Sequence, residues 1–84
     1  MKEIIESLER YVTHGIETGS FLRAVLENDL MTAMGRADII NRHRLYEICD
    51  YIYNNIPEGC WGSKKKVEGW IKCGGTEGYK NREE

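Results

Sequence analysis

The chain holds a single proline, Pro57, inside the stretch Ile56-Pro57-Glu58-Gly59-Cys60-Trp61-Gly62-Ser63. Proline lacks a backbone N–H and forces the preceding residue out of the helical region, so no helix runs through this point. Beyond the glycine-bounded turn, Ser63 is placed to cap a short helix over residues 64–72, with Val67, Trp70 and Ile71 turned inward. Lys64, Lys65 and Lys66 fall in its first turn, where they oppose the helix dipole and weaken it modestly. The segment therefore reads as a helix stop, a turn and a capped short helix. Trp70 is expected in the core. Trp61, in the turn, is either a core plug or a contact residue.

Upstream, apolar residues recur every three or four positions. Ile4, Ile5, Leu8, Tyr11 and Val12 make one helical face over residues 2–14, and Gly15 is a suitable stop. Ser20 is expected to cap a second helix carrying Phe21, Leu22, Val25, Leu26, Leu30, Ala33 and Met34, which Gly35 weakens or ends. On it Arg23 and Glu27 offer a surface ion pair at four-residue spacing. Asp38 and Asn41 are both good caps, so a third helix starts between them and runs to about Asn54. Its apolar residues, Leu45, Tyr46, Ile48, Cys49, Tyr51, Ile52 and Tyr53, occupy most of the circumference. Such a helix is buried on more than one side, by sister helices or by a partner chain. Gly74 and Gly75 close the last helix, and the polar residues 76–84 read as a disordered tail. The expectation is an all-α domain over residues 1–73, a bundle of about four helices with the last one short, followed by a flexible tail over 74–84.

Size and charge narrow the function classes. A chain of 84 residues buries only about 60% of its unfolded surface, so self-association would help its core. A formal charge of −2 argues against general nucleic-acid binding. No apolar run of membrane-spanning length occurs, and the N-terminus lacks a signal peptide's apolar core, so a cytoplasmic location is expected. Three cysteines, an odd number, fit reduced thiols.

No catalytic or metal-binding motif stands out. Cys49, Cys60 and Cys73 with His14 and His43 lack the local pairing of a zinc site. No residue pattern sets a base beside a thiol. Glu27 with Asp29, and Glu47 with Asp50, are acidic pairs on helices and read as solvated faces. Helix, short turn and helix also allow a helix-turn-helix reading, against which the third helix shows Tyr, Glu and Asp where a recognition helix shows donors. The most basic segment is Arg36, Arg42, His43 and Arg44. With Asp38 and Asn41 it sets forked donors and amides near a helix start, which suits a phosphate-bearing ligand. Tyr51, Tyr53, Trp61 and Trp70 are residues on which a base could stack.

Several motifs together carry a resemblance. They are Gly19-Ser20-Phe21-Leu22-x-Ala24-Val25-Leu26-Glu27-Asn28-Asp29-Leu30, Gly35-Arg36-Ala37-Asp38-x-x-Asn41, Tyr51-Ile52-Tyr53-Asn54 and Pro57-x-x-Cys60-Trp61-Gly62-Ser63-x-x-x-Val67-x-x-Trp70-Ile71. The chain resembles, from about Leu8 to Ile71, a family of small, functionally uncharacterised phage and prophage proteins. Members often have proline where this chain has Ile16 and Lys64.

A phage setting implies action by binding rather than catalysis. The leading expectation is a self-associating counter-defence protein in the cytoplasm of the infected host. It would sequester a nucleotide-derived immune signal between subunits, with no cofactor and no metal. Arg36, Arg42 or Arg44 would meet phosphate. Asn28, Asp29, Asp38 or Asn41 would meet ribose or base, Trp61 would stack, and Ser63 would border the site. The rival readings are an inhibitor of a host defence protein, of the anti-CRISPR kind, a DNA-binding regulator and a virion accessory protein.

Overall fold

The computed structural model describes residues 1–82. Its regular elements are helical: α1 (Lys2–His14), α2 (Ser20–Leu26), α3 (Leu30–Arg36), α4 (Ile39–His43), α5 (Leu45–Asn55), a 3₁₀ turn (Glu58–Cys60), α6 (Lys64–Cys73) and α7 (Gly75–Arg82). The chain is all-α as expected, but among the described residues seven α-helices stand in place of about four. Three departures account for the difference.

The second expected helix is two. Asn28 takes a left-handed conformation, φ 62°, which asparagine tolerates better than most residues and which no α-helix continues through. Asp29 then caps α3, its Oδ1 accepting from Thr32 N–H at 3.3 Å. At the start of α2 the capping position belongs to Gly19 rather than Ser20, which is already helical and makes no side-chain cap. The third expected helix is also two. Asp38 caps α4 by accepting from Asn41 N–H at 2.7 Å. The backbone then leaves helical geometry at Arg44 (φ −113°, ψ 18°) before α5 begins.

The third departure is at the C-terminus, where the expected disordered tail is the helix α7 over Gly75–Arg82. The part of that expectation concerning residues 83 and 84 lies outside the described residues. Gly74 and Gly75, at φ 84° and 71°, reverse the chain after α6 and lay α7 against α1. The backbones touch there: a Cβ on Gly75 would lie 2.5 Å from Gly15 N. Glycine at both positions is therefore a condition of the crossing.

The same junction closes the C-terminal end of α1, whose last carbonyls have no partner inside the helix. Gly15 N–H donates to Tyr11 O at 2.8 Å. Trp70 Nε1–H donates to the carbonyls of Tyr11 and Val12, each at 3.1 Å. Thr76 Oγ1 donates to Val12 O at 3.1 Å. Trp70 thus docks α6 as expected, although its ring stays half-buried.

The core runs from α1 (Ile4, Leu8, Tyr11) through α2 (Leu22, Leu26) and α5 (Ile48, Ile52) to Ile56, Cys60 and Val67. Large side chains removed from water in this way contribute about 1.5–3 kcal/mol each. The Tyr11 hydroxyl, fully buried, donates to Cys60 O at 2.6 Å and ties α1 to the turn after α5. Ser63 caps α6 as expected, accepting from Lys66 N–H at 3.1 Å. The Arg23–Glu27 pair forms at 3.0 Å, and Arg23 also reaches Glu17 and Glu68.

Candidate functional site

Only one side of α5 meets the core. Ile48 and Ile52 are buried, whereas Tyr46 and Tyr53 are 85% and 74% exposed. An apolar helix buried all round by its own chain is therefore not what the fold contains. Tyr46, Asp50 and Tyr53 follow one another at four- and three-residue spacing, which puts them on one helical face.

That face forms a wall of a concave pocket of ≈ 310 Å³. Val25 and Asn28 from the end of α2 line it with Tyr46, Cys49, Asp50, Ile52 and Tyr53 of α5, and Trp61 closes it from the turn. The size is at the small end for ligand pockets and suits one ring-sized group. Two hydrogen bonds hold Trp61 in place. Gly62 N–H donates to Leu26 O at 2.8 Å, fastening the turn to α2. Trp61 Nε1–H donates to Ile56 O at 3.1 Å, which fixes the indole. The Tyr53 and Trp61 ring centroids are 6.1 Å apart with planes at 53°, forming a corner rather than a parallel slot.

The nine residues singled out in the sequence are distributed over several places. Asn28 and Trp61 line the pocket. Arg36, Asp38 and Asn41 meet in a shallower groove with Glu3, Ser7 and Ser20, where Arg36 donates to Ser20 O at 3.3 Å. Arg42 lies on an open surface beside Ile39 and Ile40. Arg44 donates to Asn41 Oδ1 at 3.1 Å and to Glu3 at 2.5 Å. That bond to Arg44 holds the Glu3 carboxyl below its ordinary range. Asp29, Asp38 and Ser63 each spend a side-chain oxygen on a helix cap. Among the described residues no arginine lines the aromatic pocket, so there the phosphate-type donors and the stacking surface are separate.

Tyr46, Cys49 and Asp50 join the pocket without having been singled out. Their one-face spacing was the available signal, and the apolar crowding around α5 masked it. Burial pushes the Cys49 thiol above its ordinary value, which keeps it protonated at neutral pH. Among the described residues no three His, Cys, Asp or Glu side chains gather as a metal site, and no helix is long and apolar enough to cross a membrane.

The short helices carry further exposed apolar side chains. Met31, Ile39 and Ile40 are 80%, 72% and 64% exposed, and Leu30 and Met34 are exposed as well. No family model, curated protein or solved structure matches the chain.

Proposed function

We propose that this is a small phage-type binding protein, without catalytic activity, that works against a bacterial defence by sequestering a nucleotide-derived signal. The observation that carries the reading is the pocket of Tyr46, Tyr53 and Trp61 beside Asp50 and Asn28. Aromatic faces at the mouth of an apolar pocket stack a heterocycle, and a carboxylate and an amide at its edge select among base or ribose groups. The phosphates then extend out of the pocket. Arg36, Arg42 or Arg44 of a second copy would meet them, which gives the ligand its place between subunits. The exposed apolar side chains of α3 and α4 supply a surface for that self-association. The setting, the cytoplasm of an infected host, follows from the phage resemblance alone.

The test is to incubate the protein with mononucleotides, cyclic nucleotides and cyclic ADP-ribose isomers, isolate it by gel filtration with light scattering, and identify what is released on denaturation. The expected result is an oligomer retaining one class of nucleotide, lost in Trp61→Leu. A monomer that retains none of them would overturn the reading. The inhibitor reading has one observation in its favour, the number of exposed apolar side chains between Leu30 and Tyr46. Stoichiometric capture of a defence protein by nucleotide-free protein would select it.

A further inference from the structure

We infer that the α5 pocket takes a positively charged ring in preference to the uncharged ring of the same shape. This rests on reading the pocket as a ligand site and specifies the class of ring it accepts.

The lining decides the sign of charge. Three aromatic side chains and one carboxylate contribute to it, and among the described residues no lysine, arginine or histidine does. An aromatic face is electronegative at its centre and attracts a cation within about 6 Å of the ring centroid. Tyr53 and Trp61, 6.1 Å apart and tilted by 53°, turn toward each other as a corner. A parallel slot would favour any flat ring by stacking alone, whereas in a corner a flat ring stacks on one face and only a charged ring also gains from the electronegative second face. Asp50 adds a formal negative charge at the edge. Its Oδ1 accepts from Asn54 Nδ2 at 3.0 Å, and among the described residues it makes no ion pair. The carboxylate is oriented by a neutral amide and its charge stays uncompensated. A neutral ligand would leave it so, whereas a pyridinium or an N1-methylated adenine would bring a positive charge to it at the exposed edge of the pocket.

Matched pairs of probes that differ in charge and hardly in shape test this directly: 1-methylnicotinamide against nicotinamide, and 1-methyladenosine against adenosine, by isothermal titration calorimetry. The cation of each pair is expected to bind about tenfold more tightly, the range in which cation–π contacts and one nearby carboxylate act. Asp50→Asn keeps the acceptor to Asn54 and should bring each pair to within about twofold. Tyr53→Leu keeps apolar area on an exposed helix position, and should weaken the cations more than the neutral rings with an unchanged circular dichroism spectrum.

Equal affinities within each pair, a preference for the neutral ring, no binding by any of the four, or a preference that survives Asp50→Asn would each overturn the inference. Its failure is distinct from failure of the nucleotide reading. Retention of an ordinary nucleotide with equal affinities in the pairs sinks the charge preference only. Binding of 1-methylnicotinamide by a protein that retains no nucleotide sinks the nucleotide reading only.

Discussion

The two tryptophans belong to the same short segment, are both half-buried and both use their indole N–H on a backbone carbonyl, yet they serve different regions. Trp70 donates across the fold, to carbonyls of α1 nearly sixty positions away in sequence. Trp61 donates five positions back, to Ile56, and turns its ring to Tyr53 and the pocket. Around Trp70 the chain is locked: α1, α6 and α7 meet at glycines whose backbones touch, and the helix-end carbonyls are occupied by side chains. Around Trp61 the chain is open, with exposed tyrosines and a carboxylate that makes no ion pair among the described residues. A tryptophan's burial and hydrogen bonding do not by themselves tell a clasp from a contact. What its partner holds in place does.

The largest effect should come from the locked region. Gly75→Ala puts a Cβ 2.5 Å from Gly15 N at a φ of 71°. Neither backbone can retreat without undocking α7, so urea denaturation should show a loss of about 3–5 kcal/mol. A loss below about 1 kcal/mol would mean that the junction contributes little to stability.

Alkaline pH attacks the same region through its buried protons. Burial pushes the Cys60 thiol up to about 11 from an ordinary 9.0, and raises the Tyr11 hydroxyl above its ordinary 10.0. The folded state therefore keeps protons that the unfolded chain releases. Stability is fully present below pH 9 and falls as pH rises from 9 toward 11, first through Cys60 and above pH 10 through Tyr11 as well. Each group contributes a slope of up to about 1.4 kcal/mol per pH unit. Denaturant midpoints between pH 7 and 11 would show the decline, and a flat profile would contradict it.

Tyr11→Phe isolates one bond of that region. It leaves the buried Cys60 carbonyl without the hydroxyl 2.6 Å away, at a cost of about 1–3 kcal/mol. The alkaline decline above pH 10 should shrink in the same variant. The smallest effect should come from the open region. Tyr46→Ala, at a side chain 85% exposed, should change the monomer's stability by less than about 0.5 kcal/mol. A large loss there would show that α5 is covered in solution and that the contrast between the regions is drawn wrongly.

What the sequence showed followed from interactions local in the chain. Gly15, Ser63, Asp38 and the Arg23–Glu27 pair act within four residues of their partners, and each does what its type and spacing imply. Two things escaped. Asn28 breaks an apolar rhythm that continues across it in the sequence, although beyond it Leu30 and Met34 lie exposed and Ala33 alone of α3 is buried. α7 has almost no apolar face, and its docking depends on Thr76 reaching Val12 and on glycine-to-glycine contact, neither of which leaves a periodic trace. The site was partly legible for the same reason. Trp61 was marked by its turn and Asn28 only by its residue type, while Tyr46 was counted among the apolar positions of a helix and Asp50, with Glu47, as a solvated acidic pair. Of the arginines read as one site, Arg36 and Arg44 make hydrogen bonds around one groove, to Ser20 O and to Asn41 and Glu3, while Arg42 lies on the neighbouring surface.

The distinction between the two tryptophans is also the most direct test of where this protein binds. In a two-dimensional N–H spectrum each indole gives its own cross-peak, assigned with Trp61→Phe and Trp70→Phe. Titration with adenosine monophosphate should move the Trp61 indole peak, together with the backbone peaks of Asn28, Asp50 and Tyr53, while Trp70 stays in place. Movement of Trp70 with Trp61 unmoved, or no movement of either at saturating ligand, would contradict the assignment of the α5 pocket as the binding site.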